Sequence, residues 1–401
     1  MSAIFDIVMQ VILFFYQKPI LFPLVLIPLT AGLSYVSWSP PIIPQRLGPK
    51  AALATLGFSL LDWLMLSLLP VLNLSYAYER PLLAFMILRG LFWLGFPLLA
   101  GILRSIRRHP NAQPRLEIML LVLCLLDLGM AGTKVYGMYI EPFRIGVTRL
   151  TIPAPAFLPD RSLRIVQLTD LHFEIGVTPR ETEMLRIVEE LQPDIIVLTG
   201  DYFNMDYHSD PRTWQVGQSV LRQLHAPYGV FAVLGNAEDW QPAGVPFLFD
   251  GTQITLLEDE TFTLELPGGT LFIVGVSNRW SEQVDAGNLT SLMAEVPPDT
   301  YSLLLYHTPN IIHTAAEAGV DLYLAGHTHG GQIRLPFIGS LFQHSGLSEE
   351  FEMGQVQVGP TTLYVSRGTS EEGSGMPRMR LNCPPEIVLL ELAPAVGGSQ
   401  P

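Results

Sequence analysis

The sequence predicts a chain in two parts, an N-terminal α-helical membrane bundle followed by an α/β domain. Three observations carry that expectation. Residues 1–140 contain several apolar runs long enough to cross a bilayer. From about residue 161 the pattern changes to short β-branched runs alternating with amphipathic stretches. Charge divides near the same place: the first 140 residues hold 10 Lys+Arg and 5 Asp+Glu, and the rest hold 13 and 32. At 401 residues, 49% hydrophobic and 15% charged, the chain is too long for one compact domain and too apolar for a purely soluble protein. The acidic second part lacks the basic stripe that displaces phosphate counterions, which argues against a nucleic-acid partner.

A membrane-spanning helix takes roughly 20 residues. Four runs meet that length: Pro19 to Trp38, Ala51 to Leu74, Leu82 to Leu103 and Leu116 to Tyr139. Trp38, Trp63, Tyr76 and Tyr139 fall near the expected membrane interfaces. A fifth run, Ile4 to Tyr16, is shorter and contains Asp6 and Gln10, so it reads either as a span or as an interfacial helix. It lacks the basic lead and small-residue cleavage site of a signal peptide. Arg104, Arg107, Arg108 and Arg115 make the most basic loop, and Arg46 and Lys50 make another, whereas "YAYERP" is nearly neutral. Basic loops stay cytoplasmic. The expected location is therefore the cell membrane, multi-pass, with everything after about Tyr139 on the extracytoplasmic side. Asp62, Arg89 and Asp127 lie inside apolar runs and read as an ion pair holding the bundle, with a substrate path as the other reading. The broken, repeated helices of a transporter are missing. Cys124 and Cys383 are not expected to form a disulfide.

Residues 141–160, which include the proline-rich "TIPAPAFLPD", read as a linker. After it, "LRIVQLTD" is a buried strand, "PRETEMLRIVEELQ" a helix and "DIIVLTGD" another strand, together a β-α-β unit. A helix from Pro211 to His225 follows, then the strand "GVFAVLGN" and a hairpin around "PGG" at 267–269. The strand "YSLLLYHT", a helix from Ile311 to Ala318, and the strands "DLYLAGHTH", "TTLYVSRG" and "EIVLLEL" complete residues 161–392, before a short tail at 393–401. Parallel units mixed with hairpins predict an α/β sandwich.

Chemistry-bearing side chains collect at the strand ends: Asp170 and His172, Asp201, Asn236, His307, then His327 and His329. Ligands of open α/β sheets bind at such ends. A set of carboxylate, imidazole and amide oxygen suits Zn, Mn or Fe and not the all-oxygen cage of calcium. Seven ligands exceed one tetrahedral site, and two divalent ions sharing a bridging carboxylate account for them. His225 and His313 are read as ordinary histidines. Glu174, Asn204, His208, Glu238, Arg334 and Arg367 are read by default as solvated loop residues.

The motifs "DLH", "GD", "GNAED", "YH" and "GHTH", in that order, resemble the calcineurin-like metallophosphoesterase superfamily over about residues 161–392. "GHTHGGQIRLP" resembles its branch of membrane-anchored bacterial phosphoesterases. The resemblance implies a two-layer β-sandwich flanked by helices. It assigns Asp170, His172 and His329 to one metal, Asn236, His307 and His327 to the other, and Asp201 as the bridge.

The implied reaction is hydrolysis of a phosphate ester or pyrophosphate bond by a metal-bridged hydroxide, with Asp201 and Asn236 acting at the centre. A membrane tether points to lipid or cell-envelope substrates. In the family a histidine follows the asparagine and is thought to protonate the leaving group; here that position is Ala237. Either the substrate has a leaving group of low pKa or another residue donates, for which His208 is the candidate. The competing expectation is a catalytically weak or inactive metal-binding sensor or interaction protein.

Overall fold

The computed structural model describes residues 22–40, 42, 46–68, 79–107, 113–205, 207–279, 281–341, 343, 345–372 and 378–394. The Ile4 to Tyr16 segment, Tyr76, Arg108 and the tail beyond residue 394 lie outside the described residues. The chain divides into two compact units, Met1–Met138 and Tyr139–Pro401.

The first unit contains the helices α1 (Ile27–Ser37), α2 (Gly48–Leu68), α3 (Glu79–Arg107) and α4 (Gln113–Tyr139). Its packing is inverted relative to a water-soluble bundle. Leu53, Leu91, Ile118, Leu121, Leu125 and Leu128 face outward, while Asp62, Arg89, Asp127 and Lys134 are buried. Arg89 donates to Asp62 at 2.6 Å and to Asp127 at 2.8 Å. The Trp93 indole takes the other oxygen of Asp127 at 2.8 Å, and Lys134 reaches Asp62. The expected Arg89–carboxylate pair is thus a four-residue network of two cations and two anions. Trp38 is fully buried within the unit, with its indole donating to the Trp93 carbonyl at 3.0 Å. Among the described residues, one helical segment, Leu116–Phe143, is long and apolar enough to cross a membrane; Leu24–Ser37 and Leu88–Ile102 are shorter.

In the second unit, β1 (Gly146–Pro153), β2 (Leu163–Leu168), α5 (Pro179–Leu191), β3 (Ile195–Thr199), α6 (Pro211–Leu221), β4 (Val230–Val233), α7 (Val245–Phe249) and β5 (Ile254–Leu256) come first. They are followed by β6 (Glu260–Leu266), β7 (Gly269–Gly275), α8 (Glu282–Met293), β8 (Tyr301–Leu305), α9 (Ile312–Glu317) and β9 (Leu322–Ala325). The short hairpin β10 (Arg334–Leu335) and β11 (Gly339–Ser340) precedes β12 (Gly354–Val358), β13 (Thr361–Val365) and β14 (Glu386–Ala393). One six-stranded sheet has the order β1-β14-β2-β3-β4-β5 and the other β12-β13-β9-β8-β7-β6. Both are mixed: β2, β3, β4 and β5 run parallel, as do β7, β8, β9 and β13, with antiparallel neighbours at β14, β6 and β12.

Strand periodicity builds three layers of core. Ile195 and Val197 point into the space between the sheets, where they meet Ile273, Leu303, Leu305 and Leu324. Ile196 and Leu198 point the other way, onto Met184, Ile187 and Val188 of α5 and Val220 and Leu221 of α6. On the far side of the second sheet, Leu304 and Tyr323 pack with Leu289 of α8 and Ile312 and Ala315 of α9. This is a two-layer sandwich with helices on both outer faces.

Helix α5 starts where its sequence directs: Thr178 caps it, Glu181 returns the capping box and Pro179 occupies the first turn. The linker expectation needs correction. Residues 146–153 are a full strand, paired in parallel with β14 along its whole length. Its alternating half-exposed pattern is that of an edge strand, which the prolines that follow had masked.

Candidate metal centre

The motif-bearing strands are neighbours. Asp170 and His172 follow β2, Asp201 follows β3 and Asn236 follows β4 in one sheet; His307 follows β8 and His327 and His329 follow β9 in the other. Gln167 ties the two sheets beneath the site, donating to Thr199 at 3.0 Å and to the Ala325 carbonyl at 2.9 Å.

Two groups of ligand atoms form there, Asp170/His172/His329 and Asp201/His307/His327, each with all its ligand atoms within 4.8 Å of one another. In the first, the Nε2 atoms of His172 and His329 stand 3.2 Å apart, and His329 Nε2 lies 3.7 Å from Asp170. In the second, His307 Nε2 lies 3.2 Å from His327 Nδ1, 3.1 Å from Asn236 Oδ1 and 3.3 Å from Asp201 Oδ2. The same Oδ2 is 3.8 Å from His172 Nε2, so Asp201 sits between the groups. All seven residues singled out by sequence therefore converge. Asp170, His172, Asp201, His307 and His329 are buried, and Asn236 and His327 are half-buried, so the centre opens on their side.

The imidazole orientations fit cation binding. Nδ1 of His172, His307 and His329 each donates to a main-chain carbonyl, of Phe203 at 3.1 Å, Thr199 at 2.7 Å and Ser370 at 3.1 Å. With that nitrogen protonated, each Nε2 lone pair faces the centre. Nitrogen lone pairs directed at each other across 3.2 Å repel unless a cation or proton lies between them. The donors are the mixed N/O set of transition-metal sites, so the residues present fit two divalent ions.

Backbone strain is concentrated here. Asp170, His172, Asp201, His327 and His329 all have positive φ, between 42° and 71°. Such conformations are costly for these residue types and persist where the surroundings over-determine them. Glycines make room: a Cβ at Gly235 would overlap the Asp201 carboxylate, and one at Gly326 would overlap Thr169 and Asp170.

Electrostatics follow from burial and crowding. Burial pushes the Asp170 carboxyl up to about 6, with Asp201 adding to the shift against the nearby imidazoles. Burial also opposes ionisation of Asp201, yet His307, His172 and His327 hold it far below the usual carboxylate range. His307 is raised to about 9: burial disfavours its imidazolium, but the Asp201 carboxylate outweighs that.

Ala237 is fully buried, and its N–H donates to Asp201 Oδ1 at 2.8 Å. The backbone function of this position is kept although its side chain carries no acid. Next to it, Glu238 accepts from the N–H groups of Gly235, Asp201, Tyr202 and Phe203 at 2.8 to 3.3 Å, clamping the loops after β3 and β4 together. Burial and the Asp201 charge push Glu238 up to about 7 against those donors.

Several loop residues are not the solvated groups expected. Glu174, Asn204 and Glu238 are buried, and Glu174 pairs with the buried Arg378. Arg367 is half-buried on Glu386 at 2.6 Å. Arg380, buried and unremarked in the sequence, donates to the main-chain carbonyls of His329 and Ser370. His208 lies half-buried with Nδ1 on the Met205 carbonyl at 2.6 Å, and among the described residues its hydrogen bonds stay within its own loop and α6. His225 and His313, read from sequence as ordinary histidines, are exposed.

A mixed α/β sandwich with paired N/O ligand groups at its strand ends defines a class, the metal-dependent phosphoesterases. A family model for calcineurin-like phosphoesterase matches residues 163–331. The uncharacterized metallophosphoesterase YkuE of Bacillus subtilis is 30% identical over 275 residues, spanning 66% of this chain and 91% of that protein. Phosphodiesterase YaeI of Escherichia coli is 29% identical over 64% of this chain and 92% of its own length. UDP-2,3-diacylglucosamine pyrophosphatase LpxG of Chlamydia trachomatis is 28% identical, also over 64% of this chain and 92% of its own length. The chain belongs to the calcineurin-like phosphoesterase family and is a metal-dependent phosphoester hydrolase.

Proposed function

We propose that the chain is a membrane-anchored hydrolase of phosphate esters or pyrophosphates, acting on lipid or cell-envelope substrates from the extracytoplasmic side. The observation that carries the reading is the pair of buried ligand groups sharing Asp201. Asp170, His172 and His329 would hold one divalent ion and Asn236, His307 and His327 the other, with Mn, Zn or Fe suited to these donors. Such ions, when bound, supply a water nucleophile of lowered pKa and neutralise charge on the phosphoryl oxygens.

The chain's own residues position that chemistry. The Ala237 N–H occupies Asp201 Oδ1 and leaves Oδ2 for both groups. Half-buried Asn236 and His327 mark the side from which a phosphate enters. With a methyl group at position 237, no proton reaches the departing oxygen from there. A leaving group that is itself a phosphate needs none. LpxG is named as a pyrophosphatase, and the same bond type suits this site. His208 remains the candidate donor for other leaving groups, with Nε2 the atom left to act.

For the membrane part we read residues 1–140 as a multi-pass region of four or five helices and 161–392 as the hydrolase domain, with β1 added before it. The apolar exterior and ionic interior of the first unit support this, since lipid solvates leucine and not aspartate. Loop charges put Arg46, Lys50 and the Arg104–Arg115 loop in the cytoplasm.

The test is hydrolysis by the full-length protein of p-nitrophenyl and alkyl phosphodiesters, before and after chelation, in wild type and Ala237→His. Expected is chelator-sensitive cleavage of the p-nitrophenyl ester, with the alkyl ester accelerated by about 10²-fold in the variant. Metal-independent cleavage would sink the proposal. Equal acceleration of both esters would sink the leaving-group argument.

A further inference from the structure

The hairpin immediately after the "GHTHGG" motif has an apolar tip. Phe337 is fully exposed, Ile338 is 65% exposed and Leu341 48%. Single exposed apolar residues are ordinary on soluble surfaces, but Phe337 and Ile338 are adjacent on the turn itself, with half-exposed Leu341 at the hairpin base, where its N–H donates to the Ile333 carbonyl at 3.0 Å. Phe337 also has a φ of 67°, a conformation that is uncommon for a bulky residue.

The base of the hairpin is built in two directions. Toward the metal centre, Arg334 donates to the Gly330 carbonyl at 3.0 Å, the residue after His329. On its other side, Ile333 bridges Leu381, and Asn382 donates its side chain to the Arg334 carbonyl at 3.0 Å. The main-chain N–H groups of Asn382 and Cys383 donate in turn to the buried Glu141 carboxylate, at 3.0 and 2.6 Å. Glu141 lies in the last turn of Leu116–Phe143, the segment long enough to cross a membrane. Phe337 follows Arg334 by only three residues, at most about 10 Å of chain. The hairpin base is therefore tied both to the metal loop and, through Asn382, to Glu141.

We propose that Phe337 and Ile338 at the hairpin tip dock into the headgroup–acyl boundary of the bilayer, tying the metal-bearing loop to the lipid surface. This rests on the membrane-anchored reading above. Residues 141–401 carry 13 basic against 32 acidic side chains, so attraction to anionic lipid cannot supply the contact and apolar insertion must.

The test uses full-length protein in phosphatidylcholine nanodiscs, with an environment-sensitive fluorophore on Phe337→Cys in a Cys124→Ala background; Cys383 is buried. A second labelled variant, Ile338→Cys, covers loss of folding in the first. Expected is blue-shifted emission that is quenched when the acyl chains are brominated. In parallel, Phe337→Ser with Ile338→Ser should raise KM for a bilayer-embedded ester by about tenfold or more, at unchanged metal content. Solvent-like, unquenched emission overturns the proposal. So does blue-shifted emission without quenching, which would place a second protein copy over the tip. Quenching is read without turnover, so insertion with no cleavage of lipid esters would overturn the substrate reading alone.

Discussion

The two units of this chain both bury ionisable side chains, and they resolve the cost in opposite ways. In the helical unit, Asp62 and Asp127 are matched by Arg89 and Lys134, and the set is neutral as it stands. In the hydrolase unit, Asp170 and Asp201 share their space with imidazoles whose ring nitrogens converge at 3.2 Å, a set that needs a proton or a cation between them. A buried cluster that saturates itself is architecture. One that does not is a binding site.

The largest effect expected from breaking this contrast is at Asp201. Asp201→Asn removes the one anion between the two groups while keeping its shape and its bond from Ala237. Metal-dependent hydrolysis should fall by about 10³-fold or more, with metal content reduced and the fold retained. Elemental analysis and circular dichroism alongside the assay check this, and near-normal turnover would mean that the centre is not where the chemistry occurs.

In the helical unit the corresponding change should cost stability instead of activity. Asp62→Ala leaves Arg89 and Lys134 with one anion between them, and stripping one partner from a buried pair costs roughly 3–5 kcal/mol. Thermal unfolding in detergent should show a destabilised helical unit while hydrolysis of a soluble ester stays close to wild type. A large loss of turnover at unchanged stability would instead make the network part of a substrate path.

The difference between the units also explains what could be read from sequence. All seven strand-end residues were legible because each sits in a short motif after a brief apolar run, and strand ends are where such sheets place ligands. Gln167 left a trace as the polar residue within the apolar "LRIVQL". The supporting charges left none: Glu174 meets Arg378 across 204 residues and Lys134 meets Asp62 across 72, and no local pattern encodes either pair. Glu238 was read as solvated because its four donors are main-chain groups, which any sequence supplies. The strand β1 was lost among prolines because an edge strand needs only one buried face.

The smallest predicted effect separates the units by proton release. Without metal, His307 is raised to about 9 by the Asp201 carboxylate despite burial, so at neutral pH a proton occupies the place a cation would take. A divalent ion entering the second group must displace it. Metal affinity should therefore rise with pH, by about tenfold per unit between about 7 and 9, and level off above that. Below about 6, Asp170 is protonated as well and binding should weaken more steeply. Titration calorimetry on the full-length protein, in buffers of different ionisation enthalpy, counts the protons released. The helical network holds none of the seven ligand residues, so Asp62→Ala should leave the count unchanged. Affinity that is flat from pH 7 to 9 would show that His307 is already neutral and that the buried imidazoles accept metal without competition.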